Sequence, residues 1–246
     1  MRTFPLTAIL LVTVPAAADD KARATIEKAI LAQGGPDKVA KLRSMRIKAE
    51  GKTDLIPGQP GAAFTIEDVW QMPDKYRTSA TFTVMGMKVT QSQVLDGDKG
   101  WAEVNGQVTD VPTEVSAEIR EQKYAEDLDR LGFLKDVDKE LSVVEDAQVN
   151  GKPAVGVRVK AKGHRDVTLY FDKATGLLAK RAHPVLDAAS GKEVMQEVVF
   201  ADYADQAGVK HYKTITVFRD GKKVIEAKVT EVEFLDKVDP KLFAKP

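Results

Sequence analysis

The sequence predicts a mainly β protein with some helix (α+β), built on a single, highly curved antiparallel sheet of about ten to twelve strands. Three observations carry this. Four Asx-Gly pairs, Asp96-Gly97, Asn105-Gly106, Asn150-Gly151 and Asp220-Gly221, each lie between runs in which apolar and polar residues alternate. That combination is the strongest short-range signal for tight hairpins. Apolar residues at helical spacing occur in only two places, near the start and in the middle. No Pro/Ser-rich linker divides the 246 residues, and single β domains commonly reach that length.

The first residues read as an export signal. Arg2 supplies a positive charge, Leu6 to Val14 an apolar stretch, and Ala16-Ala17-Ala18 a small-residue cleavage site. The apolar stretch is far shorter than the ~20 residues that span a bilayer. A signal peptide over 1–18 leaves a single domain at 19–246. The chain has no cysteine, which excludes disulfides, thiolate metal sites and a lipobox acyl anchor. It carries 37 basic and 37 acidic residues, so nothing in the charge balance suggests nucleic acid. A soluble, exported monomer is expected.

Ala22, Ile26, Ala29 and Ile30 fall on one face of a short helix that Gly34-Gly35 should end, and Pro36 can open a further turn carrying Val39 and Leu42. Period two begins at once with Met45, Ile47 and Ala49. The stretch 57–61, with two Pro-Gly steps, must be a loop. Phe64, Ile66, Trp70 and Met72 then share one parity, with Asp68 its polar exception. Pro73-Asp74 turns the chain into Tyr76, Ala80, Phe82 and Val84, followed by a strand carrying Met85, Met87 and Val89. A face rich in aromatics and methionine suits an irregular core or a cavity for variable apolar ligands. Trp101 lies between two tight turns.

From Thr113 to about Leu134 the period becomes helical. Thr113 is placed to cap this segment, and Val115, Ile119, Tyr124, Leu128 and Leu131 recur at three- and four-residue steps. With no other helix of comparable length to meet, it must lie on the sheet. Strands resume through Leu141–Val149, Val155–Ala161, Val167–Phe171, Val194–Phe200, Val209–Phe218 and Val224–Phe234.

No catalytic constellation is legible. His164, His183 and His211 lie in separate hairpins without metal-ligand spacing, and no metal or cofactor is expected. Ser79, Ser92 and Ser190 lack a nucleophile elbow, and the GDKG stretch at 97–100 opens no helix. Carboxylate pairs such as Glu67/Asp68 or Glu226/Glu231 read as solvated charges. The chain is not expected to be an enzyme.

Five segments in order resemble the LolA-type family of periplasmic lipoprotein carriers: VWQMPDKYRT at 69–78, VLDGDKGWAEV at 94–104, VTLYFDKATGLLAKR at 167–181, VFADYADQAGVKHYKTI at 199–215 and VDPKLFAKP at 238–246. The resemblance implies an incomplete β-barrel whose concave face is covered by the N-terminal helix and a helical lid at about 113–134. It implies a periplasmic carrier of lipoprotein acyl chains or other lipid, working with an inner-membrane release complex and an outer-membrane acceptor. Arg77 matches a family arginine that helps to hold the lid. Candidate cavity residues are Phe64, Ile66, Trp70, Phe82, Val84, Met85, Met87, Leu169 and Phe171, with Val115, Ile119, Leu128 and Leu131 on the lid. Strand parity alone does not say which face is concave. The other reading is an envelope interaction or stress-sensing module that uses the same sheet to bind protein partners, because fold does not fix function. A hydrolase with dispersed catalytic residues ranks last.

Overall fold

The computed structural model describes residues 16–40, 42–135, 139–188 and 190–245. Most of the expected export signal, residues 1–15, lies outside them. Helix α1 (Ala16–Gln33) places Ala22, Ile26, Ala29 and Ile30 in the core, each 2 % exposed or less. It ends where Gly35 N–H donates to the Ile30 carbonyl at 2.9 Å, with both Gly34 and Gly35 at positive φ. The single turn α2 (Pro36–Val39) follows, with proline at its first position.

Six strands then run as a meander: β1 (Ser44–Thr53), β2 (Ala62–Gln71), β3 (Lys75–Val84), β4 (Met87–Asp96), β5 (Lys99–Val104) and β6 (Gln107–Asp110). After α3 (Thr113–Leu128) and a 3₁₀ turn at Gly132–Lys135 come β7 (Lys139–Val149), β8 (Lys152–Ala161), β9 (Val167–Asp172), β10 (Leu178–Asp187) and β11 (Lys192–Ala201). A small hairpin, β12 (Ala204–Gln206) and β13 (Val209–His211), precedes β14 (Thr214–Arg219) and β15 (Lys222–Phe234). Among the described residues thirteen strands form one antiparallel sheet that does not close, in the order β6-β5-β4-β3-β2-β1-β15-β14-β11-β10-β9-β8-β7. This exceeds the expected ten to twelve, and the β12–β13 hairpin forms a sheet of its own.

The turns explain the meander. Asn105-Gly106, Asn150-Gly151 and Asp220-Gly221 each have positive φ at both residues, the two-residue geometry that suits the twist of paired strands. At Asp96-Gly97 the aspartate ends β4 and Gly97-Asp98 make the turn. Met85-Gly86 makes a further turn with positive φ at both residues, 50° and 79°. The expected strand position of Met85 is therefore wrong: it sits at a hairpin tip, 78 % exposed.

The open sheet has a topological consequence for the helix. Its two edge strands, β6 and β7, are consecutive in the chain, and α3 is the link between them. The helix therefore passes from one edge of the incomplete barrel to the other. Both long helices lie on the same sheet face. Ile26, Ile30, Ala125 and Leu128 share one buried cluster with Val157, Leu169, Phe171, Val198 and Phe200. The other face of the N-terminal half is sealed by the C-terminal segment, whose Phe243, fully buried, packs with Val69, Val94 and Trp101.

Candidate functional site

Cross-strand register sorts the candidate residues. Phe64 faces Phe82, Ile66 faces Ala80, Asp68 faces Thr78 and Trp70 faces Tyr76, so these rows share one face. On β1 the same row continues through Met45 opposite Trp70 and Ile47 opposite Asp68. This is the helix-bearing face, because Lys123 of α3 lies over the rings of Tyr76, at 3.9 Å, and Trp70, at 5.0 Å.

The opposite parity holds Val69, Arg77 and Val94 in one row. Arg77 Nη1 donates to the Leu242 carbonyl at 3.3 Å, so this arginine clasps the C-terminal turn. Its expected contact with the lid is corrected by strand alternation: Tyr76 faces the lid, and its neighbour must face away.

Beneath α3 lies a cavity of about 350 Å³. Trp70, Met72, Tyr76 and Leu95 form its strand side, and Ala161 and His164 stand on a further wall. From the helix come Arg120, Lys123, Tyr124, Asp127 and Leu128, a stripe at three- and four-residue steps. The lid thus turns a cationic and aromatic face to the cavity. The apolar stripe expected there is corrected in part. Leu128 and Leu131 are buried, but Val115 is 47 % exposed, and Leu131, at φ 60°, lies past the end of the helix. Thr113 does not cap the helix; Pro112 takes that position, and its carbonyl accepts from Ser116 N–H at 2.9 Å.

Of the other candidates, Leu169 and Phe171 are 0 % and 1 % exposed in the core shared with α1. Phe171 also borders a shallow pocket beside Lys28 and Lys173. Phe64 and Phe82 are half-buried with ring centroids 6.2 Å apart, and Phe64 borders a separate, open groove with Thr65 and Thr81. Ile66 and Val84 are half-buried, while Met87, which opens β4 at the hairpin tip, is 66 % exposed.

Charged side chains tie the lid to the sheet beside its buried Ala125 and Leu128. Glu118 accepts from Arg165 Nη1 at 2.8 Å and from the backbone N–H of Leu186 at 3.0 Å. Glu121 accepts from the backbone N–H of Arg165 at 3.0 Å and meets His164 Nδ1 at 2.9 Å, whose ring stacks on Tyr124 at 3.7 Å. Further along, the Arg130 guanidinium lies 4.1 Å from the Trp70 ring centroid, a cation–π contact. Below the helix end, Asp129 pairs with Arg181, their side chains 8 % and 5 % exposed. Burial pushes the Asp129 carboxyl up to about 6, with Arg181 opposing it. Burial also resists ionisation of Glu126, but Lys123, Arg181 and Arg130 outweigh it and hold that carboxyl below its ordinary value. Asp68 accepts from Tyr76 O–H at 3.1 Å, and burial raises its carboxyl against the pull of Lys123.

These charged residues escaped sequence reasoning. Only Asp68 left a trace, as the polar exception in an apolar row. Among the described residues no group of three or more His, Asp or Glu is placed to hold a metal ion, and no helix is long and apolar enough to cross a membrane.

No protein-family profile matches the chain, and no curated protein matches it by sequence. Solved structures do. A LolA superfamily protein from Nitrosomonas europaea aligns with a TM-score of 0.57 at 12 % identity, over 91 % of this chain and 97 % of that one. A putative outer membrane lipoprotein-sorting protein domain from Vibrio parahaemolyticus gives 0.56 at 11 %, over 92 % and 97 %. A DUF1329 family protein from Desulfovibrio piger gives 0.55 at 11 %, over 91 % and 97 %. At such identities the likeness concerns architecture: the chain has the LolA-type fold, an antiparallel half-barrel spanned by a helix.

Proposed function

We propose that this protein is a periplasmic carrier or binding protein for acyl-chain ligands, lodged in the cavity beneath α3. The observation that carries the reading is the lid itself: a helix joining the two edges of an open sheet and roofing a cavity floored by Trp70, Tyr76, Met72 and Leu95. The shared fold with a LolA superfamily protein and a lipoprotein-sorting domain supports it. The proposal contains no catalytic step.

Each buried CH₂ is worth about 0.8 kcal/mol, so a twelve-carbon chain carries roughly 10 kcal/mol of water avoidance before the costs of binding. A covered apolar site offsets that during aqueous transit. Release needs a second lid position close in free energy to the first. A lid fastened by ion pairs and few apolar side chains suits such a change, because its freed charges regain hydration on opening.

Displacement of a fluorescent fatty-acyl probe tests the proposal. Saturable binding of one chain per protein, weakened by Leu128→Asp in a variant of unchanged circular dichroism, is the expected result. Absence of probe binding, together with an extract free of lipid, contradicts it. Stoichiometric capture of a membrane protein by that empty chain would favour the interaction-module reading.

A further inference from the structure

The lid carries a positive charge onto the sheet. The Lys123 ammonium on α3 lies 3.9 Å from the Tyr76 ring centroid and 5.0 Å from that of Trp70, with Glu126 of the same helix as its ion-pair partner. Asp68 stands in the adjoining row of the same sheet face and accepts from Tyr76 O–H at 3.1 Å. Burial raises the Asp68 carboxyl, and the neighbouring charge that most opposes this is Lys123. One ammonium therefore has aromatic rings and carboxylates about it, the surroundings that recognise an alkylammonium.

These parts belong to different bodies. Asp68, Trp70 and Tyr76 sit on β2 and β3, whereas Lys123 and Glu126 sit on the lid. Arg130, the other cation over the indole, follows α3 in the chain and pairs with Asp127. A lid that lifts takes Lys123 with it and leaves on the sheet an aromatic pair beside a buried carboxylate. Trp70 and Tyr76 border the cavity, so a ligand lodged there reaches them. The rest of the wall carries both signs: Lys75 pairs with Asp96, His164 meets Glu121, Lys139 has a partner of its own, and Asp74, Arg120 and Lys162 add to both sides of the balance. At roughly 30 Å³ per water-sized group, the cavity of about 350 Å³ holds one short chain.

Resting on the acyl-chain reading above and its second lid position, we infer that Asp68, Trp70 and Tyr76 bind the ammonium head of a single-chain lipid, in the place that Lys123 fills in the closed protein. Lys123 is then a tethered stand-in, an alkyl stem ending in an ammonium, which compensates the buried carboxylate until cargo supplies a cation of its own. A neutral head leaves that carboxylate without a counter-charge.

The test is probe displacement at about pH 7, where an alkylammonium is protonated, by dodecylammonium, lauroyl lysophosphatidylethanolamine and the neutral monolaurin. A desolvated cation–π contact is worth roughly thirtyfold in affinity, and in the parent protein each ammonium head must first displace Lys123. The parent should therefore bind both ammonium ligands about threefold or more tighter than monolaurin, and Lys123→Met should raise that ratio by about tenfold or more. Lys123→Arg, which keeps a cation on the rings, should leave the ratio at the parent's value. Adding Asp68→Asn to Lys123→Met should bring it down again. The tighter of the two ammonium ligands tells whether the head bears a phosphate. A parent with no preference for ammonium heads, or a ratio that Lys123→Met leaves unchanged, overturns the inference, while binding of monolaurin keeps the acyl-chain reading standing. So does a Lys123→Met variant that binds all three ligands more tightly to the same degree, since Lys123 is then a latch alone. Displacement by none of the three overturns both.

Discussion

The pair formed by Asp129 and Arg181 anchors the end of the lid helix to β10, and its removal should be felt in a distinctive way. Arg181 Nη1 also reaches the carbonyl of Ala125, at 3.4 Å, and its guanidinium lies 5.9 Å from the Phe200 ring centroid. Both side chains are more than nine-tenths buried. Breaking such a pair by removing one partner costs about 3–5 kcal/mol, because the survivor is left as an uncompensated buried charge. Arg181→Met should therefore lose that amount in urea unfolding at pH 8. Asp129 can relieve its own penalty by taking up a proton. Its carboxyl already sits near 6 in the folded protein, above its ordinary 3.8, and without Arg181 it must rise further. A carboxyl raised on folding binds more protons in the folded state, so stability grows as pH falls through the interval between the unfolded and folded values. The Arg181→Met deficit should thus shrink between pH 8 and pH 5. In Asp129→Leu the unpaired arginine cannot deprotonate, and its deficit should persist across that range. The double variant, with both charges replaced by apolar groups, should lie within about 1 kcal/mol of the parent or above it. A deficit below about 1 kcal/mol in Arg181→Met, or a double variant whose loss equals the sum of the singles, would refute the reasoning.

Other expectations follow from the same geometry. Burial lowers His183 to about 3 and His211 to about 4, so both are neutral in the fold. Their contribution is present above the unfolded value near 6.5 and is lost at about 1.4 kcal/mol per pH unit per histidine as pH falls toward the folded values. His183→Leu should remove one such dependence, and identical slopes for variant and parent in unfolding between pH 6.5 and 5 would contradict it. At Gly51 an added Cβ would lie 2.2 Å from the Glu226 carbonyl oxygen, at the seam between β1 and β15. Gly51→Ala should cost about 1–3 kcal/mol by thermal or chemical unfolding, and a neutral result would mean that the seam can open without penalty. The double variant Glu118→Gln/Glu121→Gln should raise amide hydrogen exchange across α3 while β8 and β9 stay protected. Unchanged exchange in α3 would show that these carboxylates do not hold the lid.

Much of the fold was legible because hairpins announce themselves. Asn105-Gly106, Asn150-Gly151 and Asp220-Gly221 each make the turn that their residue types favour. Met85-Gly86 makes the same turn without the signal, since methionine has no preference for positive φ, and the strand assignment of Met85 failed there. The buried Arg181 was hidden for another reason. A register shift follows Leu178, so Arg181 and not Lys180 stands opposite Leu169. Plain alternation from Leu178 points Arg181 at solvent, and an irregularity of this kind leaves no mark in period-two patterning. The lid was legible as a helix and hidden as a site. Glu118 and Glu121 find Arg165 and the Leu186 amide far along the chain, and Lys123 and Arg130 find Trp70 across the sheet. Local periodicity reports which residues share a helix face, whereas these partners are set by the path of α3 between the two sheet edges.

The protein's two tryptophans provide the most direct test of acyl-chain binding beneath α3, because Trp70 borders the cavity while Trp101 is buried against the C-terminal segment on the other face. Brominated dodecanoate, a contact quencher, should be titrated into Trp101→Phe and Trp70→Phe, each of which retains a single indole. Saturable quenching of Trp70 with no effect on Trp101 is the predicted result. An unquenched Trp70, or equal quenching of the two, would contradict a chain held under the lid.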